Sequence, residues 1–312
     1  MSPSRRIWLN GALVSADVPQ LSVTDRGFQL GDGVFEALRA RRNVLIEWRE
    51  HFARLHESAA ALRIRVPYGD DELASGVRAL LEAAGLSGDG STSGVEPGDS
   101  ALRITISRGP LARRGLLPSG YEAALATVAI QAWPYAPAPA SLLERGVHTI
   151  TSAIRRDPAS PLARIKATSR ADYVYAKLEA ERAGADDALF LTLVGSLSEA
   201  TTANLFCITE GRLLTPPLDA AILAGTTRTW LLSDPAVRRL GLKAAEQDLW
   251  PEDLLAADEA LLSSSVAGVI PLTMFDGQPI GTGRPGPRTI ALRAAREAWI
   301  DAVSCGSGSI AS

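Results

Sequence analysis

Between Trp133 and Ala140 the chain reads WPYAPAPA, with prolines at 134, 137 and 139. A proline lacks the backbone N–H that a sheet ladder needs and has a fixed φ, so such a run cannot lie inside a central strand and stiffens into a connection. The 312 residues are thereby cut into two lengths, each large enough to hold a core. We read a first domain over 1–132, a linker over 133–140 and a second domain over 141–312. In the first, strand-like runs cover 5–11, 34–40 and 44–48, helical spacing follows over 50–62 and 71–84, and strands return over 101–107 and 123–132. The stretch SGDGSTSGVEPGDS at 87–100 has the composition of a mobile surface loop. Beyond the linker, strands are expected over 148–152, 188–193, 205–209 and 212–214, and helices over 169–183, 227–240 and 287–302. The last residues, 304–312, read as a disordered tail. Strands and helices cluster rather than alternate strictly. The expected class is therefore α+β, with a smaller N-terminal domain of both elements and a larger, β-rich C-terminal domain with helices.

Several function classes drop out on composition. Hydrophobic residues at 46% and charged ones at 21% mark a core-forming globular chain. The 32 basic and 35 acidic side chains leave a formal charge of −3 without a run of one sign, so nucleic acid is not an expected partner. No apolar stretch reaches the roughly 20 residues of a spanning helix, so neither is a membrane. The opening MSPSRR runs directly into IWL without the apolar core of a signal peptide. Two cysteines, Cys207 and Cys305, give no disulfide framework, and a reducing cytoplasm is the expected setting. Three histidines remain. His51 and His56 stand five apart on a helix and do not share a face, which suits surface or packing roles rather than a metal pair. Gly31-Asp32-Gly33 reads as a turn, and the phosphate loop, dinucleotide fingerprint and nucleophile elbow have no counterpart.

What remains is a lysine, an acid and a helix start, in that order. Lys166 lies in LARIKATSR, between a proline-punctuated loop and an amphipathic helix. A lysine partly withdrawn from water there loses basicity and becomes a nucleophile, although an ordinary solvated lysine is the commoner case. Glu199 opens EATTANLF just before an apolar strand, with Asp187 and Glu210 as neighbouring acids expected at the surface. A pyridine ring used as an electron sink needs such an acid beside its nitrogen. The segment LAGTTR then puts Gly225, Thr226 and Thr227 at a helix start, where backbone N–H groups and hydroxyls suit a phosphate.

With these pieces in order, the chain from about Ile7 to Pro271 resembles the fold-type IV pyridoxal-phosphate family of aminotransferases and aminodeoxychorismate lyases. The opening WLNG at 8–11, the run DRGFQLGDGVFE at 25–36 and HFARL at 51–55 are similar to its N-terminal signature and H-x-x-R-L helix. Glu199 to Phe206 resembles its E-x-S/T-x-x-N-x-F strand start. The resemblance implies pyridoxal 5'-phosphate held between the two domains and a homodimer. It implies Lys166 as the catalytic lysine, which forms the Schiff base and shuttles the substrate proton, and Glu199 as the keeper of the ring-nitrogen proton. Arg54, Thr226, Thr227 and Ser265 would serve the phosphate, Arg54 through its forked guanidinium, and Leu223 would pack on one ring face. Phe35, Arg113 and Arg114 would meet the substrate.

Departures from the family pattern narrow the branch. Branched-chain enzymes carry a tyrosine five residues after the lysine; here that position is Ala171. In RGPLARRG at 108–115, Arg113 resembles the carboxylate-binding arginine of D-amino-acid aminotransferases, but its histidine partner is replaced by Gly115. The same run resembles the glycine-rich loop of the lyase, yet Glu36-Ala37 stands where the lyase has a threonine pair. The expected reaction is ping-pong transfer of the amino group of a D-amino acid to a 2-keto acid such as 2-oxoglutarate or pyruvate. Cleavage of 4-amino-4-deoxychorismate and branched-chain L-amino-acid transamination are the alternatives.

Overall fold

The computed structural model describes residues 6–18, 20–87, 99–113 and 115–305. It divides into two compact units: Met1–Ala136 with Ile165–Arg170 and Ile300–Ser312, and Pro137–Arg164 with Ala171–Trp299. The second domain expected over 141–312 is thus interrupted twice; the segment around Lys166 and the last turns of the chain count with the first.

In the first unit, β1 (Arg6–Leu9) and β2 (Ala12–Ser15) form a hairpin where one strand over 5–11 was expected. Asn10 and Gly11 both take positive φ, the conformation a two-residue hairpin turn demands. A short helix that the periodicity does not announce, α1 (Arg26–Leu30), starts at Asp25, whose side chain accepts from the Gly27 N–H at 2.8 Å. Then come β3 (Gly33–Arg41), β4 (Val44–Leu45), α2 (Trp48–Ala61), α3 (Asp70–Ala83), β5 (Asp99–Ser107) and β6 (Thr127–Pro134). Trp48 opens α2 rather than ending β4, and Asp99 and Ser100 pair in β5 rather than in the loop read over 87–100. Residues 88–98 of that reading lie outside the described residues. Pro134 ends β6 opposite Ser100, at a strand terminus where its missing N–H costs least.

The six strands run in the order β2-β1-β6-β5-β3-β4, every pair antiparallel. Period-two alternation sorts their side chains onto two faces. Val34, Leu38, Leu102, Ile104, Ile106, Val128 and Ile130 join Phe52 and Leu55 of α2 and Leu73, Val77 and Leu80 of α3 in one buried core. Each such side chain, fully buried, contributes about 1.5–3 kcal/mol. Phe35, paired with Thr105, and Ala37, paired with Arg103, occupy the opposite face, which the two helices leave uncovered.

The second unit holds α4 (Ala140–Arg145), β7 (Val147–Arg156), α5 (Ala171–Arg182), β8 (Asp187–Thr192), β9 (Leu197–Ala200), β10 (Asn204–Thr209), β11 (Arg212–Thr215), α6 (Thr226–Ser233) and α7 (Pro235–Arg239). There follow β12 (Lys243–Glu246), α8 (Pro251–Leu255), β13 (Glu259–Ser264), β14 (Gly268–Phe275), β15 (Gln278–Pro279) and α9 (Pro287–Cys305). Its sheet runs β12-β11-β10-β13-β14-β7-β8-β9, and β9 pairs back onto β10 through Glu199 and Asn204, so the ring of strands closes. The helix expected over 227–240 is two helices. Pro235 cannot continue α6, and Asp234 caps the new start by accepting from the Ala236 N–H at 2.7 Å. Ser304 and Cys305 are helical within α9, against the tail read over 304–312; residues 306–312 lie outside the described residues. Three strand pairs, β7 with β14, β8 with β7 and β11 with β12, run parallel, which a plain meander does not contain.

Candidate active site

The segment around Lys166 is held by backbone, not by chance exposure. The Phe35 N–H donates to the Lys166 carbonyl at 2.9 Å and the Thr168 N–H to the Gly33 carbonyl at 2.9 Å, so Val34 and Ala167 form an antiparallel bridge beside β3. The Lys166 N–H reaches Ser58 Oγ of α2 at 3.3 Å, and Thr168 Oγ1 donates to the Gly31 carbonyl at 2.7 Å. Glycine is required where the segments touch: a Cβ on Gly33 would sit 2.7 Å from the Ile106 carbonyl oxygen and 3.0 Å from Thr168 Oγ1. The half-buried Lys166 thus projects from a register fixed at both neighbours, and its Nζ stands over the ring of Phe35, 4.7 Å from the centroid. The Arg103 guanidinium stacks on the same ring at 3.8 Å and that of Arg170 lies 5.9 Å from its centroid, so Phe35 carries three cations.

On the other face of β3, Glu36 points into the helix layer. Arg54 grips it with two hydrogen bonds of 2.8 Å, from Nε and Nη2, and His51 Nδ1 lies 2.7 Å from Oε2. All three side chains are buried. Burial pushes the Glu36 carboxyl up, but the hydrogen bonds and charges of Arg54 and His51 outweigh it and hold the group down at about 2. The Arg54 fork was expected to face phosphate and His51 to be a surface or packing residue. The fork's Nε and Nη2 are engaged by Glu36, and His51 is its buried third member. His51 and Arg54, at i and i+3 on α2, share a face; that spacing was the available signal, and Glu36 is what it pointed at.

In the second unit, Glu199 sits on the short β9, just ahead of the apolar β10 that was expected to follow it, and is 5% exposed. Its Oε2 accepts from the Leu223 N–H at 3.0 Å and from Asn204 Nδ2 at 3.3 Å, and Asn204 also donates to the Leu223 carbonyl at 2.9 Å. Arg156 Nη2 stands 3.9 Å from Oε1. The carboxylate is therefore oriented by neutral donors on one oxygen and faced by a cation on the other. Of the two neighbouring acids expected at the surface, Glu210 is exposed, but Asp187 is buried and accepts from Thr201 Oγ1 at 2.6 Å. Arg156 was not anticipated; an arginine in a β-run carries no motif to mark it.

The start of α6 gathers the hydroxyls the sequence pointed to. Gly225 is its N-cap without a side-chain capping bond, and a Cβ there would lie 2.1 Å from Asn204 Oδ1. Thr226 Oγ1 and Ser265 Oγ are 3.1 Å apart, and Thr227 Oγ1 accepts from Arg296 Nη2 at 3.4 Å. Helix-start N–H groups, three hydroxyls and a nearby guanidinium form a donor set that fits a phosphate dianion. A fixed buried carboxylate one asparagine away fits a protonated ring nitrogen. Elsewhere the expectations separate. Arg113 is exposed and donates to Ser119 Oγ at 2.7 Å, and Arg114 lies outside the described residues.

The family model for amino-transferase class IV matches residues 33–275. The chain belongs to the class IV aminotransferases. It is 31% identical over 285 residues to the D-alanine aminotransferase of Bacillus licheniformis, covering 91% of this chain and 93% of that one. To the branched-chain-amino-acid aminotransferase of Escherichia coli K12 it is 30% identical over 297 residues, covering 93% and 91%. Among solved structures, the Escherichia coli branched-chain enzyme superposes with a TM-score of 0.83 at 28% identity, covering 95% and 94%. The T.th. branched-chain aminotransferase solved with pyridoxamine 5'-phosphate gives 0.83 at 27%, covering 95% and 94%. The two-domain fold-type IV architecture expected from the motifs is the fold this aminotransferase has.

Proposed function

We propose that this aminotransferase uses pyridoxal 5'-phosphate to move the amino group of a D-amino acid onto a 2-keto acid such as 2-oxoglutarate or pyruvate, by a ping-pong mechanism. The observation that carries the cofactor reading is Glu199, a buried carboxylate oriented by the Leu223 N–H and Asn204 next to the hydroxyl-lined start of α6. When bound, the cofactor's pyridine ring supplies the sink for the electron pair left on the substrate carbon. Glu199 keeps a proton on the ring nitrogen. Thr226, Thr227, Ser265 and Arg54 would hold the phosphate, with Glu36 and His51 fixing the orientation of Arg54, and Leu223 would pack on one face of the ring. Lys166 Nζ would be the nucleophile toward the cofactor's aldehyde and would then move the proton at the substrate α-carbon, and the bridge of Ala167 to Val34 fixes the segment that carries it. Phe35 lines the substrate's side, and Arg113 and Arg114 are the loop cations for its α-carboxylate.

The D-amino-acid assignment rests on Ala171 in place of a tyrosine and on Arg113, and it agrees with the likeness to the Bacillus licheniformis enzyme. The second reading, L-branched-chain transamination, is favoured by the equally extensive likeness to the Escherichia coli enzyme. We further propose a cytoplasmic homodimer, for which the exposed Val18, Val23, Phe28 and Leu125 of the first unit offer apolar surface. The test is a half-reaction screen of the purified, coloured protein against D- and L-amino acids, with borohydride trapping of the cofactor. D-alanine or D-glutamate should discharge the colour fastest, and the trapped cofactor should map to the peptide containing Lys166. Preference for L-leucine or L-valine moves the enzyme to the second reading, and a label on another peptide removes Lys166 from its role.

A further inference from the structure

The turn residue Asp32, between α1 and β3, takes no part in the chemistry above, yet two buried arginines converge on it. Arg26 Nε donates to its Oδ2 at 2.9 Å, and Arg108 Nε and Nη2 reach Oδ2 and Oδ1 at 2.8 and 3.0 Å. Burial pushes the Asp32 carboxyl up, but these hydrogen bonds and charges outweigh it and hold the group below its ordinary range. Each arginine then spends its remaining donors on backbone. Arg108 Nη1 and Nη2 donate to the carbonyls of Arg63 and Leu62, at 3.0 and 2.7 Å, just past the end of α2. Arg26 Nη1 and Nη2 donate to the carbonyls of Gly115 and Leu116, the first at 3.0 Å. Gly115 is two residues from Arg113, and Leu116 is itself 78% exposed. A buried guanidinium is thus fastened to an otherwise solvent-facing loop. The start of that loop is pinned independently, because the Arg26 N–H donates to the Gly109 carbonyl at 3.0 Å.

We propose that Arg26 is a positioning residue for the substrate carboxylate: it clamps the chain at the Gly115 and Leu116 carbonyls, close after Arg113, and so presents Arg113. The proposal rests on the role given to Arg113 under the transaminase reading. The shape of the group explains why an arginine stands here. Three donors point in three fixed directions from one plane, one to a carboxylate and two to successive carbonyls, and a lysine's single ammonium cannot span them. Asp32 orients the plane, and Arg108 keeps Asp32 in place from the other side. Substrate binding would then meet a loop already ordered, which lowers the entropy cost of engaging the α-carboxylate.

The test uses the cofactor-loaded enzyme and Arg26→Lys, which keeps the charge and loses the fork. Two backbone hydrogen bonds from a cation are removed, so KM for the amino acid should rise about tenfold or more. Cofactor colour and the saturated single-turnover rate should stay near wild type, because Lys166 and Glu199 are untouched. If Arg26 acts through Arg113, the double variant with Arg113→Ala should be no worse in KM than Arg113→Ala alone. Trypsin should also cut the variant after Arg113 at least about fivefold faster than wild type, since an unclamped loop opens more often. Full additivity of the two substitutions, an equal loss in saturated rate and KM, or an unchanged KM would each overturn the proposal. Failure of the transaminase reading is a separate result: no amino acid then discharges the wild-type colour, while the trypsin rate still decides whether Arg26 holds the loop.

Discussion

Replacing Glu36 by glutamine tests how the helix layer of the first unit is held. The side chain keeps its shape and loses its charge, while Arg54 and His51 stay buried against it. Two routes give the size of the effect. The carboxyl falls from its ordinary 4.5 to about 2, and at roughly 1.36 kcal/mol per unit this is about 3 kcal/mol of linked stability. Removing one member of a buried ion pair independently costs about 3–5 kcal/mol, because the partner charge is stranded. They meet near 3 kcal/mol. The sign follows from the depressed value: the contribution is complete above 4.5 and is lost as pH falls through about 2. Urea unfolding of wild type and Glu36→Gln at pH 7 should therefore show a loss of about 3 kcal/mol. Between roughly pH 5 and 3 the wild type should lose stability more steeply than the variant. A loss under about 1 kcal/mol at pH 7, with parallel pH curves, would refute the view that this triad carries net stability.

Two further outcomes concern the chemistry. In the role proposed for it, Glu199 faces the ring nitrogen, so Glu199→Gln would cost about 2–4 kcal/mol of transition-state stabilisation, or roughly two to three powers of ten in single-turnover rate. A near-normal rate would hand the role to another acid, and Asp187, already engaged by Thr201, is the neighbour to examine next. Gly33→Ala drives a methyl group against the Ile106 carbonyl and Thr168 Oγ1, so the bridge beneath Lys166 must shift. The single-turnover rate should drop about tenfold or more, since a misplacement of about 1 Å can cost about a hundredfold, while overpacking costs about 1–3 kcal/mol of stability; stopped-flow of the loaded variant reads the first and a melting curve the second.

The parts of the molecule legible in the sequence are those where one local rule decides. The amphipathic spacing of α2 and α3 and the apolar alternation of β5 are such cases, as is the glycine-threonine start of α6. Boundaries went astray where a single backbone feature overrides composition. Asn10 and Gly11 fold one expected strand into a hairpin, and Asp234-Pro235 breaks one expected helix into two. Asp187, an acid, was expected at the surface. It is buried because Thr201, fourteen residues away, closes over it.

The site separates in the same way, and the division has a cause. Lys166, Glu199 and the α6 threonines sit in short runs whose residue types and order single them out, so a reading along the chain proposes them. Glu36, Arg26 and Arg156 matter only through partners brought up by sheet register, a helix face or a returning loop. For Glu36 these are Arg54 and His51, for Arg26 the Gly115 and Leu116 carbonyls, and for Arg156 the Glu199 carboxylate. The carbonyls that Arg26 holds stand 89 and 90 positions further along the chain, so no local pattern could reveal them. They come within reach because Gly33 pairs with Ser107, which lays Asp32 beside Arg108 where β3 begins and β5 ends. The backbone seals that corner, the Arg108 N–H donating to the Asp32 carbonyl at 3.0 Å. A slip of one residue in this pairing would turn every side chain of β5 to the wrong face and draw Arg108 off Asp32. The hold of Arg26 on the Gly115 and Leu116 carbonyls is therefore a consequence of the same register that seats Ile104 and Ile106 in the core.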